Sequence, residues 1–166
     1  MDADGSACSL FRRDGRDLAD LLLEQDAIYV GGGNTANMLA VWRVHGVDEI
    51  LREAWRRGVV LTGSSAGAIC WFDDGVTDSF GPELVRLGDG LGMLAGSFCP
   101  HFDAEPQRRP VATRLVATGA MAPGYAADDD AGILFEDGVA VRVVSAREGA
   151  TAYRIGPDGA TPLAPG

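Results

Sequence analysis

Apolar residues along this chain come in two spacings. Short blocks at 26–30 (Asp-Ala-Ile-Tyr-Val) and 59–61 (Val-Val-Leu) read as strands buried in a sheet. Between them Met38, Leu39, Val41 and Trp42 recur at helical spacing. Val47, Ile50, Leu51, Ala54 and Trp55 then line one face of a second helix, over about residues 47–57, that stops at Gly58. Strand, helix and strand in that order predict an α/β fold with a parallel sheet and helices on its faces, where functional residues gather at the carboxyl ends of the strands. Both strands run into small-residue turns, Gly31-Gly32-Gly33-Asn34-Thr35 and Gly63-Ser64-Ser65-Ala66-Gly67.

The pattern is weaker beyond. Residues 73–96 are rich in Gly and Asp, which predicts loops, a short hairpin or a flap over the site. Residues 107–118 predict a helix with Val111, Leu115 and Val116 on its apolar side and its start confined near Pro110. Strand-like segments at 132–135, 139–144 and 151–155, separated by Asp137-Gly138 and Glu148-Gly149, predict a terminal antiparallel meander, and the residues from Gly156 onward a loose tail. With no repeat, linker or change of composition, residues 1–166 are expected to form one domain.

A net charge of −10 argues against nucleic acid or an anionic membrane as partner, since both call for basic patches. No apolar run approaches a membrane span, and the start of the chain, with Asp2, Asp4 and Gly5, lacks the features of a signal peptide, so a cytoplasmic location is expected. Cys8, Cys70 and Cys99 are odd in number and lack a metal-binding spacing, which points to buried thiols and to neither a disulfide framework nor a metal site.

The turn at 63–67 has the G-x-S-x-G pattern that presents a serine between a strand and a helix, with Ser65 as the candidate nucleophile; Ser64 lacks glycines at both offsets. A serine hydroxyl needs a base, and the chain has two histidines. His45, at a predicted helix end beside Gly46, reads as facing water. His101, in the proline-broken apolar segment Phe98-Cys99-Pro100-His101-Phe102-Asp103, is placed to aim inward. Its orienting acid is sought in Asp128-Asp129-Asp130, which lies between apolar segments. The glycine run can offer bare N–H groups to a developing oxyanion, as can Ala66 after the serine. A phosphate-cradling loop is the rival reading, but neither Gly-Lys-Ser/Thr nor G-x-G-x-x-G spacing is present.

Together, residues 29–35 (Tyr-Val-Gly-Gly-Gly-Asn-Thr), Gly63-Ser64-Ser65-Ala66-Gly67-Ala68, Pro100-His101-Phe102 and Ala127-Asp128-Asp129-Asp130 resemble the peptidase E (aspartyl dipeptidase) family of serine peptidases, whose relatives include cyanophycinase. The resemblance runs from about Ser9 to Tyr153. It implies a three-layer α/β sandwich of class I glutaminase type and no cofactor. It also implies a triad of Ser65, His101 and Asp129, oxyanion donors at Gly32, Gly33 and Ala66, and cleavage of short peptides with N-terminal aspartate. Substrate contacts would come from Asn34 and from an arginine, Arg108 first and Arg109 second, that clamps the aspartate side chain. The chain departs from the family in carrying aspartate where glutamate is frequent. It also looks short of strand–helix units at its N-terminus, so an exposed sheet edge and pairing into a dimer are expected. Two alternatives share the motifs: a non-catalytic short binding domain and a cyanophycinase-like exopeptidase.

Overall fold

The structure, a computed structural model, describes residues 5–10 and 15–164. Helix α1 (Leu18–Leu23), capped by the Asp17 carboxylate on the N–H groups of Ala19 and Asp20, precedes strand β1 (Ala27–Val30). Helices α2 (Thr35–His45) and α3 (Val47–Arg56) follow, joined by Gly46, whose φ of 69° is a left-handed conformation that glycine adopts without steric cost. Strand β2 (Val60–Gly63) lies parallel to β1, and the short helix α4 (Ala66–Ile69) leads into β3 (Phe72–Thr77).

The central sheet has six strands in the order β10-β9-β6-β5-β3-β4, with β4 at Val85–Leu87, β5 at Leu94–Cys99, β6 at Gly124–Ala127, β9 at Ala152–Gly156 and β10 at Gly159–Pro162. Its middle strands β3, β5 and β6 are mutually parallel; the flanking β4, β9 and β10 are antiparallel to their neighbours. Helix α5 (Arg108–Ala117) packs on one face, burying Ala112 and Val116 against Val76, Cys99, Ala126 and Ile155. The opposite face packs Phe72, Phe98 and Ala127 into a second core with Leu39, Trp42, Leu51 and Ile69 from the helical side. This is the α/β sandwich expected. A register irregularity between Phe72 and Asp74 lets one strand feed both cores, with Phe72 on one side and Val76 on the other.

Two regions differ from the sequence reading. The stretch from 73 onward holds a central strand, because Asp74, 5% exposed, spends its charge on Arg86 Nε at 2.7 Å and on the N–H of Ala122 at 3.1 Å. A buried, paired aspartate looks from sequence like a loop residue. The expected C-terminal antiparallel strands are present but divided. Strands β7 (Ala131–Glu136) and β8 (Val139–Ser145) form a separate hairpin that lays Phe135 edge-on against Phe72 and Tyr125, while β9 crosses to pair with β6. The supposed tail from Gly156 forms β10. No helix among the described residues is long and apolar enough to cross a membrane.

Candidate active site

Four loops meet at the carboxyl ends of β1, β2, β5 and β6, where parallel strands place functional residues. They carry Gly31–Gly33, Ser65, His101 and the aspartates 128–130.

Ser65 sits at φ 53°, ψ −117°, a conformation that costs a non-glycine residue about 1–3 kcal/mol and persists only when the surroundings impose it. The surroundings are the two flanking glycines. A Cβ at Gly67 would lie 2.1 Å from the Val30 carbonyl oxygen, and one at Gly63 would lie 2.3 Å from the Gly67 carbonyl oxygen and 2.6 Å from that of Val30. The requirement for glycine at both offsets thus comes from backbone crowding against the end of β1; neither residue has a positive φ. The turn is closed by Ser64 N–H donating to the Val30 carbonyl at 3.1 Å.

The Ser65 hydroxyl lies 2.9 Å from His101 Nε2, and His101 Nδ1 lies 2.6 Å from Asp129 Oδ1. His101 itself has φ 55°, a second strained residue in contact with the first. Its loop is fixed by Phe102 N–H donating to the Ala127 carbonyl and by Glu105 N–H donating to the His101 carbonyl. Ser64 points elsewhere, its Oγ 2.7 Å from the Tyr29 hydroxyl. His45 is exposed at the end of α2, away from this line.

The three aspartates have three environments. Asp128 is buried, accepting from Thr151 N–H and the Tyr153 hydroxyl through Oδ2, and its Oδ1 has no partner. Asp129 reaches the histidine, and Asp130, at φ 64°, is exposed. Of the three thiols expected to be buried, Cys8 is exposed, whereas burial raises the Cys70 thiol far above its ordinary value and pushes Cys99 up to about 12.

Gly32 lies alongside the serine; a Cβ there would come 3.4 Å from Ser65 Cβ and 3.9 Å from its Oγ. Gly33 takes φ 145°, a conformation that L side chains rarely adopt, and Ala66 follows Ser65 at the start of α4. The proposed substrate contacts fare differently. Asn34 is the N-cap of α2, accepting from Asn37 N–H and donating its amide to the Ser79 carbonyl, so both ends of its side chain serve the fold. Arg108 is engaged by the fold. It is 3% exposed, with Nε 2.8 Å from Glu105 and Nη1 donating to the Val76 carbonyl at 2.7 Å. Arg109 is exposed, its guanidinium carbon 4.5 Å from the centre of the Phe102 ring and 4.7 Å from that of Tyr153.

The sequence reading missed Asp103 and Arg147, which touch the backbone of Asp129 from two sides. A charged residue in a Ser-Ala-Arg-Glu-Gly turn carries no sequence signal for such a place.

A family model described as Peptidase family S51 matches residues 1–143. The chain is 52% identical over 155 residues to a Bacillus subtilis (strain 168) protein named as an uncharacterized peptidase, YgaJ, in an alignment covering 93% of this chain. It spans 66% of the length of that relative. The chain therefore belongs to peptidase family S51, the family that includes peptidase E and cyanophycinase.

Proposed function

We propose that this chain is a serine peptidase that cleaves short peptides with an N-terminal aspartate through an acyl-enzyme. The observation that carries this reading is the unbroken line from Ser65 Oγ through both nitrogens of His101 to Asp129. Asp129 accepts a hydrogen bond from Nδ1–H and so leaves Nε2 free to accept the serine proton. As Ser65 Oγ attacks the peptide carbonyl carbon, Nε2 takes that proton, and the N–H groups of Ala66 and the Gly32-Gly33 loop receive the oxyanion. Collapse of the tetrahedral intermediate breaks the C–N bond, and the imidazolium gives its proton to the departing amine. Water, deprotonated by the same nitrogen, then hydrolyses the ester.

Selectivity for aspartate in a chain of net charge −10 calls for a short-range cation, and of the two candidate arginines only Arg109 is exposed. We assign it the substrate carboxylate. Arg109→Met should lower kcat/KM for Asp-Leu about tenfold, the low end for a charge-assisted pair because the group is solvated, with a smaller loss on Asn-Leu. Equal losses on the two dipeptides would remove the assignment. Preferred cleavage of a β-Asp-Arg substrate would favour the cyanophycinase-like alternative, and a wild type whose Ser65 takes no fluorophosphonate label would favour a binding domain.

The proposal extends to a dimer. Ala27, Tyr29, Val60 and Thr62 form an exposed face of the β1–β2 pair, with Tyr29 65% and Val60 57% exposed, although parallel strands are normally covered on both faces. Light scattering at micromolar concentration should report a dimer for wild type and a monomer for Val60→Lys; a monomeric wild type would end this part of the proposal.

A further inference from the structure

Asp129 stands on a turn with little packing to hold it: its side chain is 44% exposed and the next residue is left-handed. The turn opens the β7–β8 hairpin, and the hairpin's exit returns to the same place. Pairing of Ala131 with Ser145 brings residues 146 and 147 back beside 129 and 130, where Ala146 N–H donates to the Asp130 carbonyl at 2.8 Å. Ser145 Oγ accepts the Arg147 N–H at 3.3 Å and so sets where that side chain starts. Arg147 Nη2 then donates to the Asp129 carbonyl at 3.0 Å and to Asp103 Oδ2, and its Nε lies 3.4 Å from Asp130 Oδ2. Asp103, two residues beyond the histidine, accepts the Asp129 N–H at 2.8 Å. The backbone of Asp129 is thereby held at its N–H and at its carbonyl by the two members of one ion pair.

On the reading of Asp129 as the acid that orients His101, we propose that Asp103 and Arg147 are positioning residues that clamp the Asp129 backbone and set its carboxylate against Nδ1. The clamp joins the histidine loop to the exit of the hairpin, so it fixes acid and base relative to one another, which packing of either loop alone does not. Arg147 lies beyond residue 143, where the match to the family model ends. A planar guanidinium reaches three acceptors here, and a lysine ammonium on its flexible stem cannot span them. The Asp129 N–H, and then Arg147, hold the Asp103 carboxyl below its ordinary value. A lowered value means that the clamp is fully formed above the ordinary carboxylate range and lost only as pH falls through the lowered one.

The experiment compares wild type, Arg147→Met, Arg147→Lys, Asp103→Asn and the Arg147→Met/Asp103→Asn double variant on Asp-Leu, with Ser65→Ala as reference. A carboxylate that drifts by a fraction of an ångström should lower kcat about tenfold in Arg147→Met with KM nearly unchanged. Arg147→Lys should recover part of the rate, and the double variant should be no worse than either single one. A wild-type kcat in Arg147→Met, or a loss carried by KM with kcat unchanged, overturns the clamp while an inactive Ser65→Ala leaves the proposed peptidase standing. Wild-type activity in Ser65→Ala overturns both.

Discussion

Ser65→Ala and His101→Ala should each lower hydrolysis of Asp-Leu by several orders of magnitude while leaving the fold intact, and Ser64→Ala should stay near wild type. The adjacent serines differ only in where the turn points them. Ser65 Oγ faces His101 Nε2 at 2.9 Å, whereas Ser64 Oγ faces the Tyr29 hydroxyl at 2.7 Å. Members of a triad act as a unit, so removing a second member after the first should cost little more, and the Ser65→Ala/His101→Ala double variant should match the single ones. Asp129→Asn belongs to the same test. An amide facing Nδ1 donates where the carboxylate accepted, which places the imidazole proton on Nε2 and blocks transfer from serine; a loss of about 10²- to 10⁴-fold is expected. Asp130→Asn should change the rate by less than about threefold, since its exposed carboxylate meets an exposed arginine at 3.4 Å. Asp128→Asn should act on stability, because Asp128 is buried and holds Thr151 and Tyr153. Initial rates, with circular dichroism as the control for folding, decide the matter. A dead Ser64→Ala beside an active Ser65→Ala would reverse the assignment of the nucleophile, and equal losses at all three aspartates would reduce them to a generic acidic loop.

Gly67→Ala should be the most destabilising single methyl group that can be added at the site. Its Cβ would meet the Val30 carbonyl oxygen at 2.1 Å and the Val30 Cβ at 2.8 Å, and neither can retreat. The carbonyl already accepts the Ser64 N–H that closes the turn, and Val30 pairs with Gly63 in the parallel ladder. Relief requires β1 and α4 to separate, which opens the core where Val30 and Ile69 are buried. Overpacking a core typically costs about 1–3 kcal/mol, and a clash between backbones belongs at or above the top of that range. Chemical denaturation should show a loss of about 3 kcal/mol or more, with Gly32→Ala far milder because its Cβ would meet the serine side chain at 3.4 Å, close to ordinary contact. A Gly67→Ala protein as stable as wild type would mean that the turn relaxes more freely than its contacts allow.

Local patterns went far in this chain. The two strands that end in small-residue turns, the helices between them and the turn that presents Ser65 were all legible, because each depends on spacing over a few residues: a β-branched block, an apolar stripe at helical spacing, a glycine on either side of Ser65. Even the choice of His101 over His45 followed from local setting, a proline-broken apolar segment against a helix end. What the sequence could not convey was which groups neutralise one another. Asp74 reads as a loop residue until Arg86 and the Ala122 N–H, brought up from distant segments, let its carboxylate be buried in a central strand. Arg108 and Arg109 are neighbours of the same type, and only the packing of α5 decides that one is enclosed with Glu105 and Val76 while the other stands over Phe102 and Tyr153. The aspartate that meets His101 is likewise chosen by the turn into β7. Sequence by itself determined the elements and the kinds of chemistry available, since propensity and spacing are properties of short stretches. Tertiary structure alone decided which charges are spent on the fold, since that depends on partners distant in the chain, such as Arg86 and Ala122, 12 and 48 residues from Asp74, or Val76, 32 residues from Arg108, whose meeting is set by sheet order and hairpin register.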